Sequence, residues 1–245
     1  MNTTKVSVII PVLNEENYLP DTLGNLKVLN PEPYELIAVD GGSTDQTCSI
    51  LNDSGIITYQ SELSSRAIQM NLGAQKAAGD ILIFLHADTR VPYNIISLVS
   101  QYLMDDKIAL GGFVSVMKGT KNRPIISALN YAKTWLWTFF LNPKRFLFDG
   151  LKIIFGDQVM FCRKADFDRI NGFDENYTVL EDAELCLRLN LLGRIKQFPE
   201  KVYTSDRRVK KQGFLRAMWV YVFIAILWTV GYPAGKLAKY YKNIR

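Results

Sequence analysis

The sequence predicts an α/β fold in which helices cover both faces of a mostly parallel central sheet. Three apolar runs, at residues 6–10, 36–39 and 81–85, each end on polar residues, and amphipathic segments lie between them. The run at 81–85 has five consecutive apolar residues, which is typical of a strand buried on both faces of a parallel sheet. Open parallel sheets bind ligands at the carboxyl ends of their strands, so we expect the ligand cleft there.

Length and charge divide the chain into a large domain and a basic tail. A chain of 245 residues suits a single α/β core, which we expect at residues 1–210, followed by a helical tail at 211–245. From Arg207 onward there are nine Lys or Arg and no acidic residue, whereas the preceding part has twenty basic and twenty-four acidic residues. The basic character therefore belongs to the tail.

The cysteines, the histidine and the N-terminus exclude several classes of protein. Cys48, Cys162 and Cys186 are odd in number and have no paired spacing, so we expect no disulfide or zinc site and a reduced, cytoplasmic setting. Met1 is followed almost directly by an apolar strand, which argues against a secretory signal. With His86 as the single histidine, two-histidine metal motifs are excluded.

The first two predicted strands are each followed by a turn and a helix. The strand at 6–10 is expected to end at Pro11, and residues 14–16 (Asn-Glu-Glu) offer a cap and an acidic first turn for the next helix. The strand at 36–39 closes on residues 40–45, whose glycines permit a tight turn and whose polar side chains can cap a helix.

Asp40 stands at the end of the second strand. The turns after these strands contain neither the dinucleotide fingerprint nor a phosphate-binding P-loop. We therefore interpret Asp40 as a hydrogen-bond acceptor for the base or ribose of a mononucleotide.

A third strand at 56–60 and a helix opened by residues 64–66 come next. The helix carries an apolar stripe formed by Ala67, Met70, Ala74 and Ala77. Arg66 lies in its first turn, where it either meets a diphosphate in the cleft or is a solvated surface arginine. Both interpretations stay open.

The central strand leads into the segment His86-Ala87-Asp88. His86 and Asp88, two positions apart, are expected to point to the same side of the chain, into the cleft. An acidic residue there is poorly suited to packing and well suited to holding a divalent cation against a phosphate. Asp88 is therefore a candidate metal ligand.

After the central strand, a helix at 92–104 and a strand at 109–117 are predicted, and the regular alternation then ends. Residues 125–141 are apolar nearly all round the predicted helix. They form either a core helix or a helix that contacts lipid or the acceptor. Residues 159–162 resemble a strand, and residues 180–188 have the apolar spacing of a helix.

Glu181 and Asp182 lie in the first turn of this last helix. Carboxylates stabilise a helix N-terminus, and that role is one interpretation of the pair. The other interpretation is a general base at the mouth of the cleft.

In their order and in their residues, these motifs resemble those of the family 2 glycosyltransferases, which have a GT-A fold. The resemblance covers residues 5–208 and rests on VSVIIPVLNEE, VDGGSTDQT, RAIQMNLGAQKAAGDILIFLHADT and LEDAELCLRL together. It is closest to a small bacterial branch whose metal motif reads His-Ala-Asp and to which lipid or isoprenoid acceptors are assigned. In the usual motif an acidic residue stands where this chain has His86.

The resemblance implies inverting transfer of one sugar from a nucleoside-diphosphate sugar, of the UDP or GDP type, to a lipid-like or isoprenoid acceptor. Mn²⁺ or Mg²⁺ would act as a Lewis acid on the departing diphosphate. The Gln-X-X-Arg-Trp motif of processive synthases is absent, which favours a single transfer. The implied roles are catalysis for Asp182 and Glu181, metal binding for Asp88 and His86, sugar or acceptor contact for Gly156, Asp157 and Gln158, diphosphate contact for Arg207 and Arg208, and nucleotide contact for Pro11, Asn14, Glu16, Asp40, Arg66 and Ala87.

The tail is predicted to lie on a membrane. Residues 217–235 carry no charge, but their ~14 strongly apolar residues fall short of the ~20 that a spanning helix needs. Each basic residue near an anionic surface adds about 1 kcal/mol. The expected contacts are Trp219, Tyr221, Trp228, Tyr232, Arg207, Arg208, Lys210, Lys211, Lys236, Lys239 and Lys242. A single tilted span and a dimer-forming helix stay open.

We therefore expect an enzyme of glycolipid or cell-envelope biosynthesis at the cytoplasmic face of the cell membrane. The alternative is a non-catalytic sugar-nucleotide-binding or membrane scaffold protein, because His86 replaces an acid. A nucleic-acid partner is not expected, since the basic residues flank an apolar helix where an aromatic-lined groove would be needed. A homodimer stays open.

Overall fold

The core of the fold is a sheet that has eight strands within the part of the chain described by the computed structural model, namely residues 4–118, 124–205, 207, 220, 223–224, 226–228, 232–233 and 236–237. The strands are β1 (Val6–Val12), β2 (Glu35–Asp40), β3 (Ile57–Gln60), β4 (Ile81–Phe84), β5 (Thr89–Arg90), β6 (Ile108–Lys118), β7 (Met160–Arg163) and β8 (Arg194–Ser205). Their spatial order is β3-β2-β1-β4-β7-β6-β8-β5.

The sheet has a parallel half and a mixed half. β3, β2, β1 and β4 pair in parallel. β7 is antiparallel to both β4 and β6, β8 is parallel to β6, and β5 is antiparallel to β8. The expectation of a mostly parallel sheet thus describes the first half, and the switch to mixed pairing begins at β7.

Helices cover both faces of this sheet. The helices are α1 (Leu19–Leu26), α2 (Thr47–Ser54), α3 (Arg66–Lys76), α4 (Ile95–Tyr102), α5 (Pro124–Leu141), α6 (Pro143–Phe148), α7 (Lys164–Arg169) and α8 (Glu181–Leu189). Side chains of α1, α2 and α4 pack on one face, and side chains of α3, α7 and α8 pack on the other. Because Ile83 of β4 belongs to the first cluster and Leu82 to the second, β4 is buried on both faces, as its apolar run predicts.

Two expectations about the first strand and helix are wrong. β1 continues through Pro11 to Val12, because the backbone nitrogen of Pro11 points toward β4, whose pairing with β1 already ends opposite Ile9. The missing N–H therefore costs no ladder hydrogen bond. α1 begins at Leu19 with Tyr18 as its N-cap, so residues 14–16 lie in the preceding loop and do not cap the helix.

Some of the described residues of the tail pack against the protein. Ile224 and Leu237 are buried in a cluster with Val179, and Trp228 donates a hydrogen bond from Nε1 to the hydroxyl of Tyr177 at 3.4 Å. Trp228 is thus half-buried against the protein, and its expected contact with a bilayer stays a prediction.

No helix among the described residues is both long and apolar enough to cross a membrane. The expected lipid contacts of Arg208, Lys210, Lys211, Trp219, Tyr221, Lys239 and Lys242, and the domain boundary at residue 210, lie outside the described residues.

Gln69 joins two strands of the parallel half. Although its position in α3 is off the predicted apolar stripe, its side chain is buried, and Nε2 donates hydrogen bonds to the carbonyl oxygens of Val12 at 2.8 Å and Val39 at 2.7 Å. A Cβ on Gly41 would come within 3.1 Å of this amide, so a glycine lets the turn after β2 pass close to it. Gln69 therefore holds the ends of β1 and β2 together.

We expect Gln69→Leu to lower the free energy of unfolding by about 1–3 kcal/mol, because two buried hydrogen bonds are lost and each contributes about 0.5–1.5 kcal/mol. The carbonyl oxygen of Val12 keeps a second donor, the backbone N–H of Gly41. Urea denaturation followed by circular dichroism measures the change. Gln101→Leu, at an exposed position of α4, is the matched control. Equal stability of the two variants would contradict this role.

Candidate active site

A small cleft lies at the carboxyl end of β4. Its walls come from the first turn of α3, the residues after β4, the 3₁₀ turn Gly156–Gln158 and the first turn of α8. The residues that line it are Arg66, Met70, Phe84, His86, Gly156, Met160, Glu181 and Asp182. Five of these are residues singled out from the sequence, and the fold brings them together from four separate segments.

Gly156 lies between the side chains of His86 and Asp182. Its backbone N–H donates a hydrogen bond to Oδ2 of Asp182 at 2.7 Å. A Cβ at this position would come within 2.5 Å of Nε2 of His86 and 3.6 Å of Oδ2 of Asp182. Because a side chain would clash with the imidazole, glycine allows the backbone to approach both groups and to orient the carboxylate.

Asp182 is the candidate general base. Burial of its carboxyl, reinforced by the negative charge of Glu181, raises the pKa of Asp182 to about 6, although Arg66 and the N–H of Gly156 oppose the shift. A carboxyl group with a pKa just below neutral pH is mostly ionised at pH 7 and is a stronger base than an ordinary aspartate. The side chain is half-buried and lines the cleft, so it can reach a bound hydroxyl.

Glu181 fixes the position of Arg66. Oε1 of its buried carboxylate forms an ion pair with Nη2 of Arg66 at a distance of 3.1 Å. Its other oxygen, Oε2, is buried without a hydrogen-bond partner among the described residues. The pair holds the guanidinium at the cleft, which favours the interpretation of Arg66 as a cleft residue over that of a solvated surface arginine.

Asp88 lies in a second cluster, beside Arg207. Nε of Arg207 is 3.2 Å from Oδ2 of Asp88, and its two terminal nitrogens donate to Glu15 at 2.5 and 2.6 Å. The guanidinium also lies over the ring of Tyr18, 4.8 Å from its centre. The residue predicted to bind the diphosphate thus contacts the predicted metal ligand, while Arg208 lies outside the described residues.

Glu15 is a site residue that the sequence analysis missed. The sequence offers two adjacent acids, Glu15 and Glu16, and the prediction chose Glu16 for the nucleotide pocket. Glu15 is buried and pairs with Arg207, whereas Glu16 accepts a hydrogen bond from the backbone of Gln46. The Asn-Glu-Glu signal therefore indicated the loop that holds Glu15. Its partner Arg207 could not be identified in the same way, because it is 192 residues away in sequence.

The residues expected to bind a metal contact different groups. His86 packs against Gly156, and Asp88 pairs with Arg207. In the described part of the chain, no three His, Cys, Asp or Glu side chains form a cluster that could hold a metal ion. Mg²⁺ is commonly bound by one or two carboxylates together with substrate phosphates, so Asp88 alone fits a cation that arrives with a diphosphate.

The predicted nucleotide residues link the loops after β1 and β2. Asp40 accepts hydrogen bonds from the backbone N–H groups of Gly42 and Ser43, and Oδ1 of Asn14 accepts one from the N–H of Thr44 at 2.8 Å. Asn14 itself has a positive φ of 54°. These bonds give Asp40 and Asn14 a structural role, and the nucleotide contacts of both residues stay predictions.

Pro11 and Ala87, the other predicted nucleotide residues, are buried backbone positions. Pro11 lies inside β1 opposite Val39 of β2. Ala87 is buried, and its carbonyl oxygen accepts a hydrogen bond from Oγ1 of Thr22 at 2.7 Å. Both residues are therefore buried next to the loops that follow β1 and β4. Any contact of Pro11 or Ala87 with a nucleotide stays a prediction.

The 3₁₀ turn corrects one prediction. Gln158 is fully buried, where its Oε1 accepts from the N–H of Phe155 at 2.9 Å and its Nε2 donates to Oγ1 of Thr134 at 2.9 Å. Its amide therefore positions the turn against α5 and is not open to a sugar or an acceptor. Gly156 lines the cleft and Asp157 is half-buried, so their contacts with substrate stay predictions.

Residues 7–168 match the family model described as Glycosyl transferase family 2, from β1 to α7. An uncharacterized glycosyltransferase of Rickettsia conorii is 32% identical over 92 residues, which are 36% of this chain and 15% of that protein. The PGL/p-HBAD biosynthesis glycosyltransferase of Mycobacterium tuberculosis is 29% identical over 191 residues, which are 74% of this chain and 68% of that protein.

Two solved structures show the same fold. The mannosyltransferase PcManGT of Pyrobaculum calidifontis, in complex with GDP-Man and Mn²⁺, has a TM-score of 0.69 at 17% identity. The match covers 94% of this chain and 64% of the mannosyltransferase chain. Glucosyl-3-phosphoglycerate synthase of Mycobacterium tuberculosis, in complex with Mn²⁺, UDP and phosphoglyceric acid, has a TM-score of 0.64 at 20% identity, with 94% and 80% covered. Such neighbours are GT-A glycosyltransferases, so the expected fold class is confirmed.

We expect the pKa of Asp182 to move in opposite directions in two variants. Glu181→Gln removes the negative charge that raises it, so the pKa falls from about 6 toward the ordinary 3.8, whereas Arg66→Met removes the opposing positive charge and raises it further. Since the folded pKa lies above the ordinary value, stability should decline as pH rises between these values, and Asp182→Asn should remove that decline.

Titration of the aspartate carboxyl carbons by ¹³C NMR measures both shifts. Asp53→Asn, at an exposed position of α2, identifies a control resonance. If both Glu181→Gln and Arg66→Met leave the pKa of Asp182 unchanged, the charges of Glu181 and Arg66 do not set it.

Proposed function

The chain belongs to the glycosyl transferase family 2, and we propose that it transfers one sugar, with inversion, from a nucleoside-diphosphate sugar to the hydroxyl of a lipid-like or isoprenoid acceptor. The observation that carries the proposal is Asp182, which lines the cleft with its carboxylate oriented by Gly156 and its pKa raised to about 6. A base in this position suits activation of a hydroxyl group at neutral pH.

In the proposed reaction, Asp182 accepts the proton of the acceptor hydroxyl as the hydroxyl oxygen attacks the anomeric carbon. The bond between that carbon and the diphosphate oxygen breaks, and the electron pair leaves with the nucleoside diphosphate. Attack from the side opposite the leaving group inverts the anomeric configuration. The protein must therefore hold the base on one side of the sugar and positive charge on the other.

Arg207 and Asp88 are the residues proposed for the diphosphate side. The guanidinium of Arg207, held by Glu15, would bind the phosphate oxygens. A divalent cation, Mn²⁺ or Mg²⁺, held by Asp88 would supply Lewis-acid stabilisation of the departing group. Arg66 is held by Glu181 in the same cleft as Asp182, and we assign it a contact with the donor.

The comparisons support the donor class. Solved neighbours are complexes with UDP or with GDP-Man, each with Mn²⁺. The Mycobacterium tuberculosis relative is named for PGL/p-HBAD biosynthesis. The proposed location, the cytoplasmic face of the cell membrane, rests on the basic and apolar sequence of the tail.

The test is release of nucleoside diphosphate from UDP and GDP sugars in the presence of Mn²⁺ and a lipid extract, followed by mass spectrometry of the lipids for the mass of one added sugar. Turnover with the mass shift supports the proposal. Donor binding without turnover would favour the alternative of a sugar-nucleotide-binding scaffold.

Asp182→Asn should retain donor binding and lose on the order of 10²–10⁴ in rate, because asparagine keeps the shape of the side chain but accepts no proton. Calorimetric titration with the donor and the diphosphate-release assay measure the two properties separately. Asp53→Asn, exposed in α2, is the matched control and should keep full activity. A joint loss of binding and rate would assign Asp182 a structural role instead.

Asp88→Asn should weaken the dependence of turnover on Mn²⁺. Loss of the carboxylate charge should raise the Mn²⁺ concentration for half-maximal activity at least tenfold, which corresponds to about 1.4 kcal/mol of binding. Rates measured across a Mn²⁺ series give this concentration for the wild type, for Asp88→Asn and for the exposed control Asp106→Asn. An unchanged Mn²⁺ dependence in Asp88→Asn would refute the metal role.

A further inference from the structure

Helices α5 and α6 present a run of large apolar side chains to solvent. Phe140 is 75% exposed and Phe148 is 80% exposed. The exposed apolar members are Tyr131, Leu136, Phe139, Phe140, Leu147 and Phe148, and we name this set the α5–α6 face. Single exposed apolar residues are ordinary, but six within two adjacent helices form a patch that needs a partner.

Aromatic contacts make this face continuous across the two helices. The ring centres of Phe139 and Phe140 are 5.6 Å apart, and those of Phe139 and Phe146 are 5.8 Å apart. Trp135 contacts Phe146 edge-on at 6.1 Å and Tyr131 at 6.3 Å. The side chains therefore form one aromatic surface that includes residues of both helices.

The opposite side of α5 is fixed to the protein. Thr134 and Thr138 are buried, Thr134 is bonded to Gln158, and Oγ1 of Thr138 accepts the N–H of Ile153 at 2.9 Å. A residue two positions along a helix is about 200° away around its axis. Leu136 and Phe140, each two positions after one of these threonines, therefore point outward from the protein.

The sequence around the face is strongly basic. Between Lys118 and Lys152 there are seven basic residues and one acidic residue, Asp149. The Nζ of Lys152 lies over the ring of Trp135, 4.7 Å from its centre. The pKa of Lys152 is lowered by burial and by the nearby charges of Lys196 and Arg194 of β8.

We propose that the α5–α6 face docks on the surface of a bilayer that contains anionic lipid. Exposed Phe and Leu side chains suit the boundary between headgroups and acyl chains, and the basic residues of segment 118–152, among them the exposed Lys144 of α6, suit anionic headgroups. A second copy of this chain is a poorer occupant, because it would oppose one basic surface to another. The opposite side of α5 contacts the active-site turn, because Oγ1 of Thr134 accepts a hydrogen bond from Gln158 of the turn that contains Gly156.

This docking stands independently of the proposed sugar transfer, since lipid binding needs neither a donor nor a base. It also assigns the membrane contact to a part of the chain other than the C-terminal tail. A vesicle assay therefore separates failure of the docking from failure of the transferase proposal.

The test is co-sedimentation of the full chain with phosphatidylcholine vesicles that contain about a third phosphatidylglycerol. We expect binding that weakens as salt increases, since salt screens surface charge. The double variant Phe140→Ser/Phe148→Ser should bind at least tenfold more weakly, because two apolar side chains no longer enter the boundary. The control Val28→Ser/Met104→Ser alters two apolar residues that are 66% and 81% exposed outside the face, and it should bind as the wild type does.

Two further measurements decide between occupants. Phe223→Ser/Ile226→Ser alters exposed apolar residues of the tail, and loss of vesicle binding there with full binding in the α5–α6 variant would overturn the proposal. Light scattering after size exclusion reports the mass in solution. If the wild type is a dimer that the α5–α6 variant dissociates, and neither protein binds vesicles, the face is an interface between copies and the proposal is wrong.

Discussion

The hydrogen bond from the backbone of Gly156 to the carboxylate of Asp182 is the interaction on which the rest of the site depends. It joins the turn before β7 to the first turn of α8 and brings Gly156 against His86 at the end of β4. Three segments that are far apart in sequence thereby meet around one carboxylate. The same bond favours the ionised form of Asp182, while burial and Glu181 oppose it, and the balance gives a base suited to neutral pH.

The second set of constraints joins the beginning of the chain to the end of the sheet. Asn14 links the loops after β1 and β2 through the N–H of Thr44, while Asp40 accepts the N–H of Gly42 within the second loop. Arg207, just after β8, pairs with Glu15 in the first of these loops and with Asp88. The arginine is thus part of the structural connection and part of the proposed diphosphate site. A ligand that competes for the guanidinium of Arg207 therefore affects both the structural connection and the proposed diphosphate site.

The sequence allowed prediction of the elements whose signals are local. The apolar runs located β1, β2 and β4, and helical spacing placed Glu181 and Asp182 in the first turn of α8. β8 was missed, because its buried residues alternate irregularly with charged ones and Pro199 interrupts it. The tasks of Gln69 and Gln158 were also missed, because their partners are distant and a buried amide leaves no periodic pattern. The raised pKa of Asp182 was also not predictable from the sequence, because its largest cause is burial of the carboxyl in the folded protein.

The C-terminal segment supports the start of α8. Leu180 precedes Glu181 in a left-handed backbone conformation, with a φ of 62°, which an ordinary side chain adopts at an energetic cost. Leu180 and Val179 pack in the cluster that includes Ile224, Leu227 and Leu237. The packing of the described tail residues therefore helps to offset the cost of the left-handed conformation at Leu180, so the C-terminal segment contributes to the geometry at the start of the helix that carries Asp182.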